Sequence, residues 1–376
     1  MSEAAADISA RAPAGVRNEG LDALRAALTL LVLFHHTAIT YGSQGGWFYI
    51  ERPPSDAIAS KLLTIFCAVN QSYFMGAFFL LAGYFTPAAL SKQRSARYFA
   101  GRLLRLGLPL SVFGFLIGPL AVSLAATAKG ATFSAVYWKL LSHGVFVIGP
   151  LWFAFALLIF TGAAIVLRLM FGPPRERPFP SNGVLLAAAL ATGAAAFAIR
   201  LVVPVGVNVV GLQLGYFASY EVLFIAGYLG ARSRWLEDMP AAQVRLWRRV
   251  TFVALPILPA LALFSAVRGD PAGGWNPIAI AYAFWEPLVA WGMIMGLAAL
   301  FQRRFAALGG FGRALTRRAY AVYVIHPPVL VAIALAWRGV DAPALLKFAV
   351  TGSATCAVCF LTAGLLLKLP GVSRVL

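Results

Sequence analysis

Apolar runs close to twenty residues long recur along the whole chain, separated by short polar connections. A helix of that length spans the roughly 30 Å hydrocarbon core of a bilayer. Ten runs are readable: 21–41, 68–89, 104–126, 150–170, 183–203, 211–230, 250–267, 277–300, 319–337 and 345–367. The stretch from Ala57 to Leu90 is too long for one simple span and is interrupted by Asn70 and Gln71, so an interfacial piece is expected ahead of the second run. Residues 133–149 are aromatic and apolar but short, which fits an interfacial or re-entrant segment. The pattern predicts an all-α fold, a polytopic transmembrane helical bundle of about ten spans. Residues 21–370 form its single domain, 1–20 a disordered cytosolic lead and 371–376 a cytosolic tail. No internal repeat is visible, which weighs against an inverted-repeat transporter.

Composition fits this picture: the 376 residues are 61% hydrophobic and 12% charged, with a mean hydropathy of +0.81. A soluble domain of that size would be far less apolar. The net charge of +18 invites a nucleic-acid partner, but membrane proteins gather Lys and Arg in cytoplasmic connections for topological reasons, so none is expected. With the amino terminus inside, 22 of the 31 Lys and Arg fall on inner segments and 8 on outer ones, Arg25 lying within the first span. Such asymmetry predicts both termini in the cytoplasm; the membrane itself is expected to be of the bacterial inner-membrane type. Glu3, Asp7 and Glu19 and the lack of a short apolar core argue against a cleavable signal peptide. Cys356 and Cys359 have CxxC spacing but sit in an apolar run with no second Cys/His pair nearby, so they read as packing residues and no metal is expected.

Candidate chemistry lies in the ionisable groups that interrupt the apolar runs, because such groups in a membrane face a partner or a wet cavity. The first span, LDALRAALTLLVLFHHTAITY, carries Arg25 and His36 eleven residues apart. That is about 16 Å along one helix face. Arg102 and Arg105, three apart at the cytoplasmic start of the third span, share a face. Three guanidinium groups at one depth suit a polyphosphate, although arginines at span ends also bind the headgroups of membrane lipids. His36 and His326 lie within spans, where a neutral imidazole can act as general base or join two helices by a hydrogen bond. Pro327 and Pro328 are expected to break or kink the helix at His326. No carboxylate lies one turn from His36. An orienting acid would come from another helix, with Glu221 and Glu286 as candidates unless each is the structural pair of an arginine. Gly83 in FFLLAGYF reads as a close-packing point, and Trp152 as an aromatic-belt residue unless a sugar stacks on it.

With these motifs in this order the chain resembles the membrane-bound acyltransferase-3 family. LDALRAALTLLVLFHH is similar to the family's first span, FFLLAGYF to its second, RLLR at Arg102 and Arg105 to its Arg-x-x-Arg motif, and LWFAFALLIF and YAVYVIHPPVL to its later spans. Ala26 and Ala82 depart from the Gly and Ser frequent there, and no SGNH-like domain is fused, so a separate periplasmic partner would be needed if the reaction uses one. The resemblance implies transfer of an acyl group, often acetyl or succinyl. The donor would be a cytoplasmic acyl-CoA acting as co-substrate, and the acceptor a hydroxyl of a glycan, lipid-linked sugar or small molecule. It implies a catalytic His36, with Arg25, Arg102 and Arg105 at the donor; beside the resemblance, His326 is read as an acceptor-side or structural hydrogen-bonding group. The competing reading is a transporter or flippase for an anionic substrate.

Overall fold

Helices form where the apolar runs lie, and their ends are set by local caps and breakers. The computed structural model describes residues 18–51 and 57–376, with backbone alone at 265–268. Most of the expected cytosolic lead, residues 1–17, lies outside the described residues, as does Arg52. α1 (Glu19–Thr40) starts at Asn18, whose side chain accepts from the Leu21 N–H at 3.0 Å. Glu19 and Asp22 in its first turn complement the positive end of the helix dipole. α2 (Ala57–Ser91) and α3 (Ser95–Thr127) follow. α3 contains two π-helical turns, Leu103–Gly107 and Phe113–Ile117. α4 (Phe133–Ser142) is a short helix with no buried residue. Then come α5 (Trp152–Phe171), α6 (Asn182–Val202) and α7 (Phe217–Gly230). The chain continues with α8 (Ala241–Ala254), α9 (Ile257–Arg268), α10 (Pro277–Arg304), α11 (Gly310–Ala336) and α12 (Ala344–Leu366). Pro256, which has no N–H to donate, stands at the two-residue interruption between α8 and α9.

Among the described residues nine helical stretches are long and apolar enough to cross a membrane, α8 and α9 counting as one. The tenth expected span is α7, only 14 residues long. With the 3-10 turn Leu214–Tyr216 ahead of it, it covers about 27 Å, close to a bilayer core. Side-chain contacts show that it runs from one end of the bundle to the other. Before α7, Arg200 at the end of α6 lies over the Tyr216 ring and donates to the Gly215 carbonyl. Past α7, Trp235 donates to the Arg177 carbonyl at 2.9 Å, between α5 and α6. The same alternation gathers Asn18, Glu237 and Gln302 at one end. It brings Glu51 and Lys347 together at the other. Arg318, near the start of α11, donates to the Phe360 carbonyl near the end of α12, so the first and last described residues lie at the same end.

Three expectations are corrected here. α2 is one continuous 35-residue helix, unbroken at Asn70 and Gln71: Gln71 donates to the Tyr220 hydroxyl at 2.9 Å and Asn70 Oδ1 accepts from Tyr73 at 3.5 Å, although Asn70 Nδ2 is buried without a partner among the described residues. α11 runs unbroken through Pro327 and Pro328. Arg200, counted among the outer connections, is instead buried within α6 at 1% exposure.

α2 and α7 meet at glycines. A Cβ at Gly83 would collide with the Phe224 carbonyl, and one at Gly227 with the Leu80 carbonyl. This reciprocal pair is the close approach expected of Gly83. Phe79, Leu33, Phe113, Leu151, Val322 and Leu330 fill the interior with 2% exposure or less. Phe252, Val253, Leu263 and Leu361 stand exposed on the outer helices, as lipid-facing side chains do.

Candidate functional site

Proline chemistry sets the geometry of the site. In a helix the Tyr323 carbonyl would accept from the N–H of residue 327, but Pro327 has none. The imidazole of His326 takes that place, its Nδ1 lying 2.7 Å from the Tyr323 oxygen. A carbonyl only accepts, so His326 Nδ1 carries the proton, and the neutral ring presents Nε2 as an acceptor. His326 Nε2 lies 3.0 Å from His36 Nδ1. His36 must donate there, which leaves its Nε2 with a free lone pair. Two neutral rings in series therefore fix the tautomer that a general base needs, without a carboxylate.

The surroundings hold this arrangement. The planes of the two imidazoles are nearly parallel, at 7°, and Trp47 stacks on His36 with ring centroids 3.8 Å apart and planes 10° apart. His326 is fully buried, whereas His36 keeps part of its surface exposed. His35 points elsewhere: it stacks on Phe74 at 4.9 Å and meets His36 edge-on at 90°. Trp47 gave no signal in the sequence, because it lies in the connection between the first two spans, where hydropathy has no period.

A stripe on α11 links this pair to the arginine motif. Tyr320, Tyr323 and His326 recur every three residues, with neighbouring ring centroids 6.4 and 5.9 Å apart. Tyr323 donates to the Pro150 carbonyl at the entry to α5. The Tyr320 hydroxyl is buried with no hydrogen-bond partner among the described residues, and Arg102 lies within electrostatic reach of Tyr320 and Tyr98. Arg102 turns inward, its Nε 3.4 Å from Thr161 Oγ1 on α5. Arg105 lies in the π-helical turn after Arg102 and is exposed. Arg25 pairs with Asp22 at 2.8 Å, with 43% of its side chain exposed. All three arginines stand toward the end of the bundle where α1 and α3 begin.

The two candidate carboxylates lie apart from the histidines. Glu286 on α10 pairs with Arg200 on α6, at 3% and 1% exposure. The guanidinium also donates to the Gly215 carbonyl at 2.9 Å and lies 5.4 Å from the centroids of both Tyr216 and Tyr282. Glu221 is exposed on α7. Trp152 stacks on Tyr220, 5.8 Å away.

A search of the curated proteins finds no match. The family model described as "Acyltransferase domain" matches residues 18–364, which covers α1 to nearly the end of α12 and both histidines. The chain belongs to the membrane acyltransferase-3 family and is an enzyme that transfers acyl groups other than aminoacyl groups.

Proposed function

We propose that this multi-pass membrane enzyme moves an acetyl or succinyl group from acyl-CoA to a hydroxyl of a glycan, a lipid-linked sugar or a small molecule. The observation that carries the reading is the Tyr323 carbonyl–His326–His36 series, which leaves an unprotonated imidazole nitrogen in a partly open position within the bundle. His36 Nε2 removes the acceptor hydroxyl proton, and the oxygen attacks the thioester carbon. As the carbon–sulfur bond breaks, the proton on His36 passes to the departing thiolate. His326 holds the His36 ring and accepts from Nδ1 while His36 is cationic. Holding the hydroxyl and thioester together supplies a further share of the acceleration. The end holding both described termini faces the cytoplasm of a bacterial-type inner membrane, in line with the charge asymmetry. That orientation puts Arg25, Arg102 and Arg105 on the side where acyl-CoA is found.

The arginines give the test. Guanidinium makes paired contacts with phosphate that lysine cannot reproduce. Arg102→Lys and Arg105→Lys should each raise the apparent KM for acetyl-CoA by roughly ten- to a hundredfold, the effect of losing one charge-assisted hydrogen bond, with a smaller change in kcat. CoA binding to purified Arg102→Ala and Arg105→Ala proteins, checked for normal folding, decides the matter. Binding equal to wild type would place the donor elsewhere.

A further inference from the structure

The described part of the connection that follows α1, residues 41–51, folds back over His36 and is tied at several points. The Ser43 N–H donates to the Ala38 carbonyl at 2.9 Å, and the Glu51 N–H to the Thr40 carbonyl at 2.8 Å. Ser60 donates to the Gly42 carbonyl at 2.6 Å, and Glu51 forms an ion pair with Lys347 of α12. Gly42 and Gly45 supply the positive φ angles the fold-back needs, 123° and 142°. Phe48 meets Trp47 edge-on at 5.0 Å and packs where a Cβ at Gly149 would come within 3.1 Å of its ring. The indole of Trp47 is thus held flat on His36 by a fixed frame.

Its polar atom is nevertheless unspent: Trp47 Nε1 is buried and has no hydrogen-bond partner among the described residues. An indole N–H can only donate, and buried donors are nearly always paired. An unpaired donor on the ring stacked against the base calls for an acceptor that arrives with the substrate. We infer that the Trp47 indole N–H donates to the acyl carbonyl oxygen as His36 drives attack on the thioester carbon. This rests on His36 being the base. When the hydroxyl oxygen bonds to that carbon, its proton goes to His36 Nε2 and the carbonyl π pair moves onto oxygen. The Trp47 N–H binds the resulting oxyanion. The pair then re-forms the carbonyl, the carbon–sulfur bond breaks, and the thiolate takes the proton from His36. A donor of this kind must stand about 3 Å from the oxyanion in a water-excluded place. The buried N–H, one ring away from the base, meets the second condition.

The test separates the N–H from the ring. Trp47→Phe keeps an aromatic stack and loses the donor. Benzothienylalanine at position 47 keeps the full indole shape with sulfur in place of N–H. The readout is free CoA released from acetyl-CoA by the purified full chain in lipid nanodiscs, with total glycan and lipid extract as acceptor. Both replacements should lower kcat by about a hundredfold, near the lower end for loss of an oxyanion donor. The KM for acetyl-CoA should stay within about threefold, as for a contact made only in the transition state, and Tm should not change. Wild-type kcat in the benzothienylalanine protein overturns the inference, even if Trp47→Phe is slow, because the ring alone would then suffice. His36→Ala, assayed alongside, reports separately on the base: an active His36→Ala protein removes the reading on which the inference rests, whereas a dead one leaves the Trp47 comparison to stand by itself.

Discussion

His36→Ala should lose acyl transfer almost completely, by about 10³-fold in kcat, within the range for removal of a general base, while His35→Ala keeps most of the wild-type rate. The two rings are adjacent in sequence but differ in their bonding. His36 donates from Nδ1 to His326 and so keeps Nε2 free, whereas His35 lies against Phe74 with its Nδ1 buried and, among the described residues, unpartnered. Alanine at 36 removes the only ring nitrogen that the Tyr323–His326 series prepares. CoA release and thermal unfolding should be measured on the same purified samples, so that loss of chemistry is separated from loss of fold. A dead His35→Ala protein beside an active His36→Ala protein would reverse the assignment.

Glu286→Ala should unfold the protein more readily rather than slow its chemistry selectively. The carboxylate is the counter-charge of Arg200, and both are buried. Removing one partner of a buried ion pair costs about 3–5 kcal/mol, because the remaining charge is left in a medium that cannot solvate it. Tm should fall by roughly 5–15 °C. Replacing both partners with apolar residues, Glu286→Leu with Arg200→Met, should recover much of that loss, since the desolvation cost goes with the charges. A Glu286→Ala protein with wild-type Tm and a large fall in kcat would instead make Glu286 part of the reaction.

The spans were legible because each needs about twenty apolar residues, a signal that survives without tertiary context. The departures share one physical origin. A separate interfacial piece was expected ahead of the second span, in a stretch interrupted by Asn70 and Gln71, and a break or kink in α11 at Pro327 and Pro328, since polar side chains and prolines both weaken a helix. Each helix continues because another group takes up the free hydrogen-bonding capacity: Tyr220 for Gln71, the His326 ring for the Tyr323 carbonyl. Such compensation depends on the packed fold or on side-chain geometry, which hydropathy does not encode. For the same reason His36 could be singled out as an intramembrane imidazole, but its partner, 290 residues away, could not be paired with it. Glu286 was conspicuous as a mid-span carboxylate, but its partner Arg200 emerged only in the fold. Trp47 was invisible, because an aromatic residue in a connection carries no periodic signal.

The most direct measurement is mass spectrometry of ester-linked acyl groups on the glycans and lipids of cells carrying the wild-type chain, its His36→Ala variant, or neither. The expected result is an acyl-modified species present with the wild-type chain and absent from the other two. Acylation unchanged across all three, with the protein present in the membrane, would contradict acyl transfer through His36.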